Sequence, residues 1–432
     1  MVFRPFDRKL FVATQATAST AATITTATDF IETIEPTYTI TPLMFERTPK
    51  SSSMTAAVQT VPGSAKTSPV SQLEISFGVE LSGPATGLAT GTAPPIGKLL
   101  KCCGMAEYAN IGKYAVTSTT YAAGPFFHNE NIDGHASSYT SAEGIAWSNN
   151  TYGDSDFLCQ TTYGTLGATS VKSQLSGATV TAGATTAGAR TGVGYAFSTA
   201  ATDDSTAHTS ATMRLWLGGA AYIEGHSMRG TVDFNFVHGD RVVCQFTFTG
   251  ILNTQVDAAQ PVDYTYTAKI PPAWTNTGMQ IAPVEAMSAN YTGSIFNSMT
   301  LSTGNEVMVR ENTNSVDGYQ SAIIQSRTPT LTWNPDAELA ATNNDFWSYF
   351  LAGTPTRMRW TLGDTTTNKV EFRVSAAQFT GISDGNRDTV EVYDSTTMLT
   401  GGNFGSSVIS AGGEVQTNKD KGMDNELFIL FR

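Results

Sequence analysis

A few short stretches carry residue types that could do chemistry. Gly225-His226-Ser227-Met228-Arg229 begins like the nucleophile elbow Gly-x-Ser-x-Gly, which holds a serine on a sharp turn between a strand and a helix. Arg229 stands where the second glycine belongs, and a strand pattern follows it, so Ser227 is expected as a hydrogen-bonding residue of a β turn. Gly91-Thr-Ala-Pro-Pro-Ile-Gly97-Lys98 resembles a phosphate loop. It has one residue too many between its glycines, and Leu99 occupies the place of the magnesium-binding hydroxyl. Pro94 and Pro95 also remove two backbone N–H groups that would cradle a phosphate. A loop entering a capped helix accounts for every residue there.

The histidines, His128, His135, His208, His226 and His238, show no ligand spacing with one another or with Cys or carboxylates. Asp203-Asp204 and Asp384 to Asp388 lack the calcium-loop pattern and read as solvated turns. Phe234, Phe236, Phe246 and Phe248 have no interleaved Arg or Lys, so they read as core rather than as a stacking platform for single strands. Cys102, Cys103, Cys159 and Cys244 form neither a disulfide framework nor a zinc spacing and are expected to be packing residues. No cofactor, no metal and no enzymatic activity are expected. A hydrolase or glycosidase would need convergent polar groups that these spacings do not offer.

The elements that must carry these residues are extended. The chain has 432 residues, only 14% of them charged, and is rich in Thr, Ala, Ser and Gly, which opposes a helical or coiled-coil protein. Its 25 Lys+Arg against 37 Asp+Glu give a net charge of −12, without a basic cluster to grip nucleic acid or an anionic membrane. No apolar run is long enough to span a bilayer, and Leu427 to Phe431 is strand-sized. The polar Thr tract after Val12 interrupts what would be a signal region, so synthesis in a reducing cytoplasm is expected.

Residues 10–45 read as an extended arm leading into a strand, and residues 47–72, rich in Ser, Thr and Pro, as a long exposed loop. Leu73 to Leu81 alternates as a half-buried strand. Thr92 is expected to cap a helix that starts at Pro94 and Pro95 and carries Ile96, Leu99, Leu100 and Cys103 on one face, with Gly104 stopping it. From about 109 to 194 no period is evident, and the segment reads as an insertion. Met213 to Leu217 is a strand. Thr231 to Val237 and Val242 to Thr249 form a hairpin around His238-Gly239-Asp240-Arg241, with Val232, Phe234, Phe236, Cys244, Phe246 and Phe248 inward. Lys269 to Trp274 reads as a linker, and strands resume near Phe296.

The second half echoes the first. Arg47-Thr48-Pro49 recurs as Arg327-Thr328-Pro329, and the helix ending at Gly104 recurs as Asp345 to Ala352 with Gly353 as its stop. Met213-Arg214-Leu215-Trp216-Leu217-Gly218 recurs as Met358-Arg359-Trp360-Thr361-Leu362-Gly363, and Gln245-Phe246-Thr247 as Gln378-Phe379-Thr380. The division this implies is a first domain over 1–265 with the insertion at about 109–194, a linker at 266–274, and a second domain over 275–432.

The stretch Phe77-Gly-Val-Glu-Leu-Ser-Gly-Pro, continuing through Gly-Thr-Ala-Pro-Pro-Ile-Gly-Lys-Leu-Leu-Lys-Cys-Cys-Gly-Met-Ala-Glu107, resembles the strand, loop and helix of tail tube proteins from long-tailed, non-contractile bacteriophages. Gly230-Thr-Val-Asp-Phe-Asn-Phe-Val-His-Gly-Asp with Phe246-Thr-Phe-Thr-Gly250 looks like that family's hairpin, and Asp424 to Arg432 is similar more weakly. The resemblance implies a mainly β chain of two tandem β-sandwich or barrel domains, each flanked by a short helix, that assembles into stacked rings around a channel for DNA. With two copies per chain it implies three chains in a pseudo-sixfold ring. A tape measure protein and tail-end or baseplate proteins are the further partners it implies. By the same analogy Arg47, Thr48, Pro49, Lys50, Lys66 and Gln72 belong to a ring-stacking loop. The hairpin's polar face, Asp233, Asn235, Gln245 and Thr247, is expected to line the lumen, because its opposite face supplies core. The competing expectations are a surface adhesin of Ig-like sandwiches, or another virion component such as a capsid decoration or tail terminator protein.

Overall fold

The computed structural model describes residues 7–46, 66–83, 93–117, 131–135, 142–148, 154–160, 170–173, 179–181, 186–197, 208–262, 264, 270–275, 277–283, 294–315, 318–337, 344–363, 368–400 and 426–431. The chain is mainly β. It runs β1 (Arg8–Thr14), α1 (Thr26–Asp29), β2 (Phe30–Ile31), β3 (Ile34–Glu46), β4 (Lys66–Glu80), α2 (Ile96–Cys102) and β5 (Met105–Thr117). There follow β6 (Asn131–His135), β7 (Ala142–Ser148), β8 (Asp154–Gln160), β9 (Ser170–Ser173), β10 (Thr179–Thr181) and β11 (Thr186–Phe197), then β12 (Ala211–Leu217), β13 (Ala221–Val237) and β14 (Val243–Asp257). The second half adds β15 (Gln280–Pro283), β16 (Phe296–Ser302), β17 (Asn305–Glu311), β18 (Tyr319–Arg327), β19 (Thr330–Pro335), α3 (Phe346–Ala352), β20 (Thr356–Leu362), β21 (Val370–Arg387), β22 (Val390–Thr400) and β23 (Phe428–Phe431).

Eight strands form one antiparallel layer in the order β3-β4-β14-β13-β16-β19-β22-β21. Side chains alternate across it, as a pleat requires. Leu73, Ile75, Phe77, Val232, Phe234, Phe236, Phe246, Phe248, Leu301, Leu331 and Trp333 are buried on one side. Each such aromatic or aliphatic side chain contributes about 1.5–3 kcal/mol by leaving water. The rings interlock: Phe77 stacks on Phe246 at 5.6 Å, and Phe236 meets Phe372 edge-on at 5.3 Å.

The opposing layer consists of β2-β1-β12 beside the first part of β13, and β15-β20 beside the first part of β21. β13 and β21 are long enough to serve both layers, and register shifts between His226 and Arg229 and between Phe379 and Gly381 mark where each is re-aimed.

The two halves use the same plan. β3-β4-β14-β13 and β16-β19-β22-β21 have matching strand orders, β1-β12-β13 matches β15-β20-β21, and α2 and α3 fall at the same point in the chain order. Gly218 and Gly363 end β12 and β20 with φ of 56° and 80°, a left-handed turn that side chains disfavour. One sequence echo does not follow this plan: Gln245 to Thr247 lie on β14, whereas Gln378 to Thr380 lie on β21, the counterpart of β13.

Several boundaries differ from the sequence expectation. β4 begins at Lys66, not Leu73, and pairs with β3 out to Glu46, so the last part of the expected loop, 66–72, is one strand of a two-stranded ribbon. Segment 109–194 contains a sheet of its own, in which β5 pairs with β8 and β11. Its Gly, Ala, Ser and Thr give too little polarity contrast to produce a readable period. The α2 helix starts at Ile96 with Pro95 as its N-cap and no side-chain cap, and Thr92 lies outside the described residues. The expected linker ends inside the core: Trp274 is buried, packs on Phe236 and Phe296, and its backbone N–H donates to Asp240 at 2.8 Å. β23 lies between β11 and β21 and so ties the insertion sheet to the second half.

Candidate assembly surfaces

The outward side of the eight-stranded layer is mainly polar. One row across the first half is Thr37, Ser76, Thr247 and Thr231, and its counterpart in the second half is Thr300, Thr332, Thr396 and Gly381. All four residues expected on the hairpin's polar face lie here, with Asp233 opposite Gln245 and the phenylalanines between them turned into the core. Sequence reasoning missed the partners that continue the face across β16. Ser302 Oγ donates to Asp233 Oδ1 at 2.5 Å, and Thr300 Oγ1 donates to Asn235 Oδ1 at 3.3 Å. Thr247 and Ser76 hydroxyls lie 3.2 Å apart. The signal was available, because alternating Ser and Thr in Ser298, Thr300 and Ser302 has the same period as the hairpin.

Glu74, Asp233 and Asp394 give this face its negative character. Among the described residues no lysine or arginine stands in its open middle. At the rim Arg241 pairs with Glu80 at 2.5 Å, and Arg387 pairs with Asp336. Among the described residues the layer ends in two strands that pair on one side only, β3 at one end and the later part of β21, beyond Ala377, at the other.

Of the residues expected in a stacking loop, Arg47, Thr48, Pro49 and Lys50 lie outside the described residues. Lys66 opens β4 opposite Glu46. Gln72 sits within β4, and its Nε2 donates to the Tyr319 hydroxyl at 3.3 Å. That tyrosine belongs to the β17–β18 hairpin, a separate two-stranded sheet that covers one end of the polar face. The hairpin is held by apolar contact of Val309, Tyr319 and Ala322 with Ile251. Polar contacts add to it. Arg229, fully buried, donates from Nη1 to the Ala322 carbonyl and from Nη2 to the His208 carbonyl, both at 2.6 Å. Ser227 is on a strand bulge with φ of 55°, not in a β turn, and its Oγ accepts the Ala322 N–H at 2.9 Å. Asn305 Nδ2 donates to the carbonyls of Cys103 and Gly230.

Of the residues first considered for chemistry, Ser227, Arg229 and Lys98 are engaged structurally, whereas His128, Asp203 and Asp204 lie outside the described residues. Ser227 and Arg229 anchor the hairpin. Lys98 of the phosphate-loop look-alike pairs with Asp29 at 2.6 Å and donates to the Thr28 carbonyl. Cys102, Cys103 and Cys244 are buried free thiols, and burial pushes the Cys102 thiol up to about 12 from 9.0. Among the described residues no group of three or more His, Cys, Asp or Glu is placed to hold a metal ion. No helix among them is long and apolar enough to cross a membrane.

No protein-family model matches the chain, and no curated protein matches it.

Proposed function

We propose that the chain is a structural virion protein, a tail tube subunit that self-assembles head to tail into rings, and that stacked rings form the conduit through which phage DNA passes. One observation carries this reading: β3-β4-β14-β13 and β16-β19-β22-β21 share a strand order and are joined through β13 and β16. The edge of β13 that bonds β16 inside the chain has its counterpart in the open edge of β21. The edge of β16 that accepts β13 has its counterpart in the open edge of β3. A second copy can therefore repeat, between chains, the joint made within one. Such heterologous contacts close into rings when the rotation per unit divides a full turn. Two tandem units per chain and three chains give the pseudo-sixfold ring.

The polar face also suits a conduit. Hydroxyls and amides bonded to one another present few free donors to phosphate, and Glu74, Asp233 and Asp394 repel it, so DNA slides without being held. The resemblance of Phe77 to Glu107 to tail tube proteins points the same way. A tape measure protein inside the tube and tail-end proteins at its tip are the partners this role requires, and the virion tail is the place.

Electron microscopy of the purified protein, with rotational analysis of end-on views, tests the reading. Hollow tubes with threefold rings of six similar lobes are expected. Monodisperse particles that never form rings overturn it.

A further inference from the structure

The β17–β18 hairpin arises from the connection between β16 and β19, and the connection between β3 and β4 is its counterpart in the first half. The hairpin does not lie on its own half. It crosses to the preceding one and covers the row Gln72, Ile251 and Ser227 at one end of the polar face. The first-half connection begins in the same way. β14 pairs with β4 only over Gln72–Glu80, whereas β3 and β4 stay paired with each other out to Glu46 and Lys66. A two-stranded ribbon therefore continues past the layer.

Resting on the head-to-tail ring, we propose that this ribbon is a lateral clasp that grips the second half of the neighbouring copy in the same ring, as β17–β18 grips the first half of its own chain. The receiving surface follows from the matched registers. Met213 and Met358 face Gly225 and Val374, and Ala211 and Thr356 face Met228 and Ala377. The counterpart of the covered end is then the end of the second unit's polar face: Ala376 and Thr400, which pair there, match Ser227 and Ile251, and the next row, Thr330, Met398 and Gln378, matches Glu74, Thr249 and Arg229. Gln378 is exposed and Met398 and Thr330 are half-buried, so the row is open to a partner in the single chain. Thr400 stands where Ile251 meets the hairpin, Met398 at the place of Thr249 adds apolar surface beside it, and the Gln378 and Thr330 side chains offer hydrogen bonds. The occupant is a second copy of this chain, and the ribbon acts within a ring before any rings stack.

The test is a cysteine pair, Thr67→Cys with Met398→Cys, oxidised in purified rings and in tubes. The expected result is a ladder of covalent oligomers up to the full ring, formed equally in single rings and in tubes. A ladder that forms only in tubes assigns the ribbon to ring stacking and overturns the clasp, as does the absence of any ladder. If the pair does not fold, a photoreactive residue at position 67 alone, with cross-linked peptides read by mass spectrometry, decides between the same outcomes. Microscopy of the unsubstituted protein separates the two claims. Rings without a cross-link leave the assembly reading standing and remove the clasp, whereas a protein that forms no rings removes both.

Discussion

Arg387 closes on Asp336 at the rim of the second four-strand unit, and the pair repeats, at the matching corner of the first unit, the one between Arg241 and Glu80. Each arginine leaves the tip of a hairpin, β21–β22 or β13–β14, and reaches the carboxylate at the end of the neighbouring strand, β19 or β4. The two clamps differ in exposure. Arg241 is about half exposed, whereas Arg387 and Asp336 are mostly covered. Replacing Arg387 with Ala should cost about 1.5–3 kcal/mol, the range for a hydrogen bond to a charged group. Arg241→Ala should cost only roughly 0.2–1 kcal/mol, as exposed ion pairs do. Urea titrations of the two variants check the order. Equal losses would mean that exposure does not set the strength of these clamps.

Arg229 fixes the β17–β18 hairpin to the first half by giving its guanidinium hydrogens to two carbonyls in a fully buried setting. Arg229→Met keeps much of the volume and withdraws both donors, and each carbonyl left without one costs about 1–3 kcal/mol. Lysine should not rescue it, because one ammonium does not reproduce the planar fork that reaches Ala322 and His208 together. Hydrogen exchange should rise across 305–327 in both variants while the amides of β20 stay protected. Uniform exchange throughout the chain would place Arg229 in the global core instead.

The buried thiols give the stability a defined alkaline limit. Burial raises the pKa of Cys102 from 9.0 to about 12 and pushes Cys103 and Cys244 upward as well. In the unfolded chain these thiols ionise near 9, so above that pH the unfolded state has lost protons that the folded state keeps. Stability is therefore full below pH 9 and falls as pH climbs from 9 toward 12, by about 1.4 kcal/mol per pH unit for each thiol so affected. Urea midpoints measured from pH 7 to 11 should be level to about 9 and then decline. Cys102→Ala should make the decline shallower, and an unchanged slope would show that other groups control it. At pH 8 the three thiols should stay unmodified by an alkylating reagent in the folded protein, as read residue by residue by mass spectrometry.

Much of this architecture is legible where one face of a strand is apolar and the other is not. Leu73 to Leu81, the Phe234/Phe246 hairpin and α3, with Asp345 accepting from Ser348 N–H and Gly353 at φ of 64°, follow directly from pattern and cap. The chain conceals features set by distant partners. Nothing local to Arg229 signals that a hairpin from residues 305–327 will cover it. Pro69 and the serines around it read as loop, yet they lie on the ribbon, where a two-stranded edge tolerates proline. Phe428 to Phe431 reads as a strand, but its position between β11 and β21 depends on residues more than fifty positions away.

The open edge of β21 offers the most direct test of head-to-tail assembly. Asp388 and Thr389, at φ of 48° and 76°, form a two-residue mirror-image turn closed by Arg387 and Val390. In such a hairpin the closing pair exchanges both hydrogen bonds, and bonded pairs then alternate along the ladder. The N–H groups of Ser383 and Arg387 thus serve β22, whereas those of Asp384 and Asn386 point to the open side. Proline at 384 removes an edge donor while sparing the bonds to β22. Asp384→Pro should leave a folded chain with an unchanged circular dichroism spectrum that no longer forms rings, and Asp384→Ala should assemble normally. Normal tubes from the proline variant would exclude pairing through this edge. Loss of assembly in the alanine variant would transfer the effect to the carboxylate and away from the backbone.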